Sequence, residues 1–325
     1  MSLTLPGPMS FAEFEAFREN TALWLPAATD IARQHSLLKG GEGPLVPFAE
    51  GSNLVAALGS RYVLKIFPPM LRHQFVAERA SLRQLHGRLS VATPEIVVEG
   101  EHDGWPYLVI TRMAGVSGEA VWPTLSESEK EDVMRQIGEL IAEVQRVPPG
   151  PLPALEPRWP DFLRAQLAEC HARHARLGLP PPLLEELGEY LSRAAESLGP
   201  SVLKGEPTVI LTGEYIQQNF LLEPGAGGGW RLSGLIDFGD VMTGWGEYDL
   251  LGPSTFMGGG MPGRIHQLLR GYGYGDADLH PTLRRRLMVL FLLHRFSDPL
   301  RQVRIENWPE RVRTLEALER LIWPL

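Results

Sequence analysis

Cysteine is almost missing from this chain of 325 residues: Cys170 is the only one. An internal disulfide framework is therefore excluded, and a reducing compartment, the cytoplasm, is the expected location. Cys170 itself reads as a small apolar residue buried in a helix. Long apolar runs are also lacking. The longest, Leu287 to Leu293, falls far short of the roughly 20 residues a membrane helix needs, so no membrane partner is expected. The opening MSLTLPGPMSFAEFEAF has no basic stretch leading into an apolar one, so no secretory signal is expected either. Positive charge is in deficit: 31 Lys and Arg stand against 39 Asp and Glu, a net −8. That balance argues against nucleic acid as a bulk partner and suits a cationic substrate.

Other chemistries are absent by pattern. The nine histidines show no metal-ligand spacing. His171 and His174 stand i, i+3 on one helix, but beside Arg173 and Arg176 they read as a solvated face. Ser117, Ser233 and Ser254 have no GxSxG context for a nucleophile. No internal repeat is visible, and the one low-complexity stretch, Gly225 to Gly229, reads as a hairpin tip. Nothing in the sequence bears on oligomeric state.

What is present begins with length, which suits one large domain or two lobes. Helical spacing of Phe11, Phe14, Phe17, Leu23 and Ile31 predicts one or two helices broken near Pro26. Gly40 to Pro47 reads as a turn-rich entry to strands over Leu45 to Ala49, Leu54 to Leu58 and Tyr62 to Phe67. A helix over Leu71 to His86 follows, then strands over Glu95 to Glu99 and Tyr107 to Thr111. Gly59-Ser60 and His102-Asp103-Gly104 are hairpin turns by composition. Beyond that the chain is mostly helical. Helices are predicted over Leu125 to Arg146 with Ser126 as N-cap, Asp161 to Leu177, Leu183 to Leu198, Gly263 to Gly271, Pro281 to Phe296 and Arg311 to Ile322.

Most of the chemistry lies between Leu211 and Asp249. Glu214 and Asn219 stand five apart on a loop that opens a short apolar strand. Asp237 ends a second apolar strand, Leu232 to Ile236. A tight turn between the two strands would set Asn219 beside Asp237, with Glu214 in front. An amide and a carboxylate at neighbouring strand ends suit Mg²⁺, an oxygen-seeking ion usually shared with substrate phosphates. A further carboxylate can orient a hydroxyl or take its proton, which completes the layout of a phosphoryl-transfer site.

Upstream, period two puts Lys65 on one strand face with Val63 and Phe67. Phe75, Glu78, Leu82 and Leu85 repeat at three and four on the next helix, so Glu78 lies on its inward stripe. A lysine among apolar neighbours needs a partner, and Glu78 is the candidate. Gly51, Ser52 and Asn53 fall between the first two strands, where backbone and side-chain donors can serve a phosphate.

The segment Thr212-Gly213-Glu214, four residues, Asn219, then Ile236-Asp237-Phe238 resembles the catalytic core of the aminoglycoside phosphotransferase and choline kinase family. The family pattern is His-Gly-Asp, four residues, Asn, and later Ile-Asp-Trp or Ile-Asp-Phe. Thr212 and Glu214 are departures, replacing the His and the Asp. Leu108 to Met113, Ala49 to Asn53 and Leu64 to Phe67 are similar to runs in hygromycin B kinases of the 7''-O type.

The resemblance implies an α+β, protein-kinase-like fold. Residues 1–113 would form an N-lobe with a five-strand antiparallel sheet, one inserted helix and an N-terminal helical extension. Residues 114–325 would form a larger, mainly helical C-lobe. It implies Mg²⁺ on Asn219 and Asp237, and Glu214 as the catalytic carboxylate. Lys65 and Glu78 would hold ATP phosphates under the loop of Gly51, Ser52 and Asn53. Thr111 and Met113 would lie at a hinge that reads the base through backbone groups, which leaves GTP equally open. The implied activity is transfer of the γ-phosphate to a hydroxyl of an aminoglycoside or a similar amino sugar or amino alcohol. The acceptor would lie on the helical lobe, where Asp161, Glu169, Glu185, Glu186 and Glu189 are acidic. Choline, a sugar or homoserine are other acceptors of this class, and a nucleotide-binding pseudokinase is the alternative that Thr212 and Glu214 raise. Asp249 matches a family Asp with a loop-holding role. Asp240 reads as a solvated loop acid or a contact to metal or substrate.

Overall fold

A computed structural model describes residues 4–37, 45–49, 51–155 and 157–325. Most of the turn-rich entry expected over Gly40 to Pro47 therefore lies outside the described residues, as does Glu50.

Five short strands form one antiparallel sheet: β1 (Val46–Pro47), β2 (Leu54–Leu58), β3 (Tyr62–Ile66), β4 (Ile96–His102) and β5 (Trp105–Thr111), in the order β1-β2-β3-β5-β4. Local chemistry closes its hairpins. Asp103 and Gly104 both take positive φ, +51° and +84°, as a two-residue hairpin turn of the favoured hand requires. Alternation along the strands then splits the sheet into two faces. Leu54, Ala56, Leu58, Leu64, Ile66, Trp105, Tyr107 and Val109 share one core with Phe14, Trp24 and Ile31 of α1 (Phe11–Glu19) and α2 (Thr21–Gln34). Lys65 points to the other face, where α3 (Arg72–Leu85) lies between β3 and β4 in sequence.

The break between the first two helices falls at Asn20, not near Pro26. Pro26 sits inside α2, close to its start, where it removes a single ladder bond. The buried stripe of Trp24, Ala27, Ala28, Ile31 and Ala32 holds the helix together around it.

The chain divides into two compact units. The first comprises Met1–Gly87, Ala92–Ala114 and Ile236–Asp240, so a five-residue piece from far along the sequence belongs with the sheet. The second comprises Arg88–Val91, Gly115–Leu235 and Val241–Leu325.

The second unit is mainly helical. It carries β6 (Val116–Ser117), α4 (Gly118–Val121), α5 (Glu127–Arg146), α6 (Trp159–Arg176), α7 (Pro181–Ala194), α8 (Gly199–Lys204), β7 (Val209–Leu211), β8 (Phe220–Pro224), β9 (Trp230–Leu235), β10 (Met242–Gly244), α9 (Leu251–Phe256), α10 (Pro262–Tyr272), α11 (Pro281–Leu292), α12 (Pro299–Gln302), α13 (Trp308–Arg311) and α14 (Leu315–Ile322). The capping box read from Ser126 and Glu129 is formed in full: the Glu129 carboxylate accepts from Ser126 N at 2.8 Å, and Ser126 Oγ accepts from Glu129 N. Gly138 and Gly271 let α5 and α10 approach closely, since a Cβ at either would run into a backbone carbonyl of the facing helix. β8 and β9 form the hairpin predicted over the catalytic segment, with Phe220 opposite Leu235 and a tip closed by Gly225 N donating to Gly229 O at 3.0 Å. β7 pairs with β10, placing Ile210 opposite Thr243.

Candidate active site

In the first unit Lys65, Glu78 and Asp237 form one cluster. Lys65 Nζ donates to Glu78 Oε2 at 2.6 Å and Oε1 at 2.8 Å, and to Asp237 Oδ1 at 3.1 Å. Lys65 is 7% exposed and Glu78 only 1%, so this ion pair lies out of water. The Phe67 ring centroid is 5.7 Å from the same ammonium. Burial works against the charge on Lys65, but the carboxylates of Asp237 and Glu78 outweigh it and raise its pKa. Burial pushes the Glu78 carboxyl up to about 7, against the pull of Lys65 and with further repulsion from Asp237 and Asp240. We take Lys65 as charged, because two carboxylates face one ammonium.

Asp237 is delivered by an unusual backbone. Its φ is +67°, a left-handed conformation that an Asp tolerates better than a branched residue would. Phe238, fully buried, anchors the turn. The Asp237 side chain keeps 42% of its surface exposed, so the carboxylate meets the lysine and solvent together. Asp240 is half-buried and adds the weakest of the influences that raise Glu78.

The loop between β1 and β2 is tied down by a residue that sequence reasoning missed. Gln74, buried on α3, accepts from Asn53 Nδ2 at 3.1 Å and from Ser52 Oγ at 3.4 Å. Those side chains are thus turned toward α3, and Asn53 Oδ1 is buried without a partner among the described residues. Gly51 has φ +104°, which only glycine adopts easily. At the end of β5, Thr111 N donates to Glu95 O at 2.9 Å, so its N–H serves the sheet; Met113 lies in the irregular segment beyond.

In the second unit the Thr212–Asn219 loop is held from below. Buried Asp249 accepts from Thr212 N and Gly213 N, both at 3.0 Å, and Gly213 turns with φ +80°. Burial pushes the Asp249 carboxyl up to about 7 despite these bonds. Asn219 Nδ2 donates to Glu214 O at 2.9 Å, which leaves its Oδ1 available as an acceptor toward a cation. Tyr215, buried, stacks on Phe220 with centroids 5.9 Å apart. The Thr212 hydroxyl is buried and reaches no carbonyl among the described residues.

Glu214, half-buried, lines a cavity of about 880 Å³ within this unit, together with Trp122, Phe256 and His294. His294 stacks on Tyr248 at 4.4 Å, and burial pushes its imidazole down to about 3, so it stays neutral. None of Asp161, Glu169, Glu185, Glu186 and Glu189 lines this cavity. Asp161 instead pairs with Arg164 at 2.7 Å, Glu189 lies 3.6 Å from Arg193, and Glu186 accepts from Leu315 N. The solvated reading of the α6 end also fails for two residues. Arg173 and His174 are buried, and both contact Leu292 O, at 2.8 and 3.0 Å. The last carbonyls of α11 lack helical partners, and the α6 side chains satisfy one of them. Cys170 is buried as expected.

The donors suit Mg²⁺. No cluster of three or more His, Cys, Asp or Glu exists among the described residues that would cage a metal unaided. In the first unit the partly exposed Asp237 carboxylate, and in the second the Asn219 amide oxygen, are each an oxygen donor of the kind Mg²⁺ accepts when phosphates and water complete its shell.

This fold is that of a family of phosphotransferases. The profile of the phosphotransferase enzyme family matches residues 45–286, and the chain belongs to that family. Solved structures share the fold. The GDP complex of wild-type aminoglycoside 2'-phosphotransferase-IIIa is 19% identical with a TM-score of 0.65, over 91% of this chain and 98% of that one. APH(3'')-Id from Streptomyces rimosus, in complex with ADP and streptomycin, is 20% identical with a TM-score of 0.55, over 83% and 98%. The streptomycin and ATP ternary complex of APH(2'')-IIa is 16% identical with a TM-score of 0.55, over 82% and 90%. No curated protein sequence matches the chain. No helix among the described residues is long and apolar enough to cross a membrane.

Proposed function

We propose that this protein is a small-molecule kinase that moves the γ-phosphate of a nucleoside triphosphate to an acceptor hydroxyl. The observation that carries the reading is the buried Lys65 ammonium shared by Glu78 and Asp237. A fixed cation of that kind suits nucleotide phosphates, and a catalytically idle chain has no need to bury one. Residues 1–113 serve the nucleotide, with Gly51 and the backbone around Ser52 and Asn53 toward the phosphates and Thr111 and Met113 toward the base. Residues 114–325 serve the acceptor. Asp237 and Asn219 would hold Mg²⁺, which when bound would neutralise charge on the phosphates. Glu214 orients the hydroxyl and takes its proton as the oxygen attacks the γ-phosphorus. The bond to the leaving diphosphate breaks with its electron pair, giving a phosphate monoester and a nucleoside diphosphate. The phosphoryl-transfer transition state is loose, so positioning and charge carry most of the acceleration.

Related folds have been solved with GDP, ADP and ATP, so both purines belong in the test. The protein with Mg²⁺ and ATP or GTP should release ADP or GDP only when an accepted hydroxyl compound is added. The panel should span hygromycin B, other aminoglycosides, amino alcohols, sugars and sugar acids. A chain that binds neither nucleotide would sink the kinase reading. Tight nucleotide binding with no transfer to any acceptor would favour a pseudokinase.

A further inference from the structure

The cavity that carries Glu214 is basic, although the chain as a whole is acidic. Arg173, Arg176, Arg264, Arg295, Arg301 and Arg304 line it, against Glu119, Glu214 and Asp298. Six arginines less three carboxylates give a formal +3, in a protein whose net charge is −8. Part of that charge is used locally. Arg264 is paired with Glu127 at 2.6 Å, and Arg173 is spent on Leu292 O. The acids are used too: Asp298 caps α12 by accepting from Arg301 N. Arg295, half-buried, lies over the Phe162 and Phe296 rings, and the three arginines left are exposed: Arg176 at the end of α6, Arg301 in α12 and Arg304 just beyond it. Arg304 lies over the Phe256 ring at 6.0 Å, which holds its guanidinium near the cavity wall.

Guanidinium is a planar fork that matches a carboxylate with two parallel hydrogen bonds. A polyamine acceptor would meet like charge there, and like charges across an interface are strongly unfavourable. The formal charge of the cavity is thus opposite in sign to the net charge of the chain. We propose that the acceptor is an anionic hydroxy compound whose carboxylate is held by the Arg176, Arg301 and Arg304 rim while its hydroxyl faces Glu214. The inference rests on the kinase reading above. The hydroxyl oxygen forms the new bond to the γ-phosphorus, its proton passes to Glu214, and the diphosphate leaves with the electron pair. The product is the phosphate monoester of a carboxylic acid.

The test uses the full chain and matched probes. Binding of D-glucuronate, D-gluconate and L-malate is measured by calorimetry at constant ionic strength, beside neutral D-glucose and cationic D-glucosamine. At least one acid should bind saturably and at least tenfold more tightly than glucose or glucosamine. In R301Q/R304Q that affinity should fall tenfold or more, the scale of losing a charge-assisted hydrogen bond. Both side chains are exposed, so the unliganded thermal midpoint should hold and show that the fold is kept. Failure of every acid, tighter binding of glucosamine, or unchanged acid binding in the double variant would each overturn the proposal. Mg²⁺–ATP and Mg²⁺–GTP binding is measured on the same samples. Nucleotide binding without acid binding sinks only this inference, whereas acid binding without nucleotide binding sinks the kinase reading.

Discussion

Lys65 Nζ donates to Asp237 Oδ1 at 3.1 Å, across 172 positions of sequence. The lysine balances the carboxylate that is proposed to bind a metal. A divalent cation bound by Asp237 would compete with Lys65 for the same oxygen and leave the ammonium to Glu78 and the phosphates. Asp237→Ala should therefore remove the Mg²⁺-dependent part of the thermal stabilisation given by ATP or GTP. A ligand that binds only the folded chain raises its stability by mass action, so the shift reports affinity directly. Equal Mg²⁺-dependent shifts in mutant and wild type would refute the metal assignment.

The buried pair makes a second prediction, on stability. Lys65→Met leaves Glu78 buried without its cation, and Glu78→Leu leaves the ammonium only the partly exposed Asp237 carboxylate. Each single change should cost about 3–5 kcal/mol in urea unfolding, the usual cost of breaking a buried ion pair. The double variant should be more stable than either single one, because no uncompensated charge is left. Transfer activity should behave differently: each single variant should lose it, and the double should lose little more. Additive losses in both quantities would mean that the two residues act separately.

Local rules made much of this legible. Period two and the three-four stripe put Lys65 and Glu78 on inward faces of consecutive elements, and no distant residue was needed to see it. Ser126 and Glu129 announced their capping box because both partners lie within one helical turn. What stayed hidden was set by distant packing. His174 and Arg173 look solvated beside Arg176, and only the end of α11, 118 residues on from His174, gives them a carbonyl. Gln74 had no local reason to be singled out until the β1–β2 loop folded against it. The basic cavity is gathered from segments spread between Glu119 and Arg304, so its local charge could not be read from the total.

A pH dependence follows from His294. Burial pushes its folded pKa down to about 3, whereas the unfolded value is near 6.5. Below about 6.5 the unfolded chain binds the proton that the folded chain refuses, so stability falls as pH drops toward 3. The contribution is fully present above 6.5. Within that window the loss is up to about 1.4 kcal/mol per pH unit. Urea unfolding of wild type and His294→Gln at pH 7 and pH 5 measures it. Wild type should lose more stability than the variant between the two values, and parallel losses would show that His294 is not the source.

Glu214 makes the sharpest prediction about chemistry. Where the related kinases carry Asp, this chain has a longer side chain with the same charge. Asp249 holds the loop beneath it through Thr212 N and Gly213 N, and Asn219 ties the Glu214 carbonyl. The backbone is thus fixed from both ends, and the extra methylene has to be absorbed by the side chain or by the acceptor. Glu214→Gln keeps the shape and removes the proton acceptor. It should bind nucleotide as wild type does and lose about 10²–10⁴-fold in transfer rate, the range for a positioned general base. Glu214→Asp separates two accounts of the loop. A gain in rate would mean that the site tolerates the shorter acid at this backbone position. A loss near a hundredfold would mean that the acceptor sits about an ångström beyond its reach. The decisive comparison is wild type against Glu214→Gln with one accepted hydroxyl compound at saturating nucleotide. Equal rates would remove Glu214 from the chemistry and leave its loop with a purely structural role.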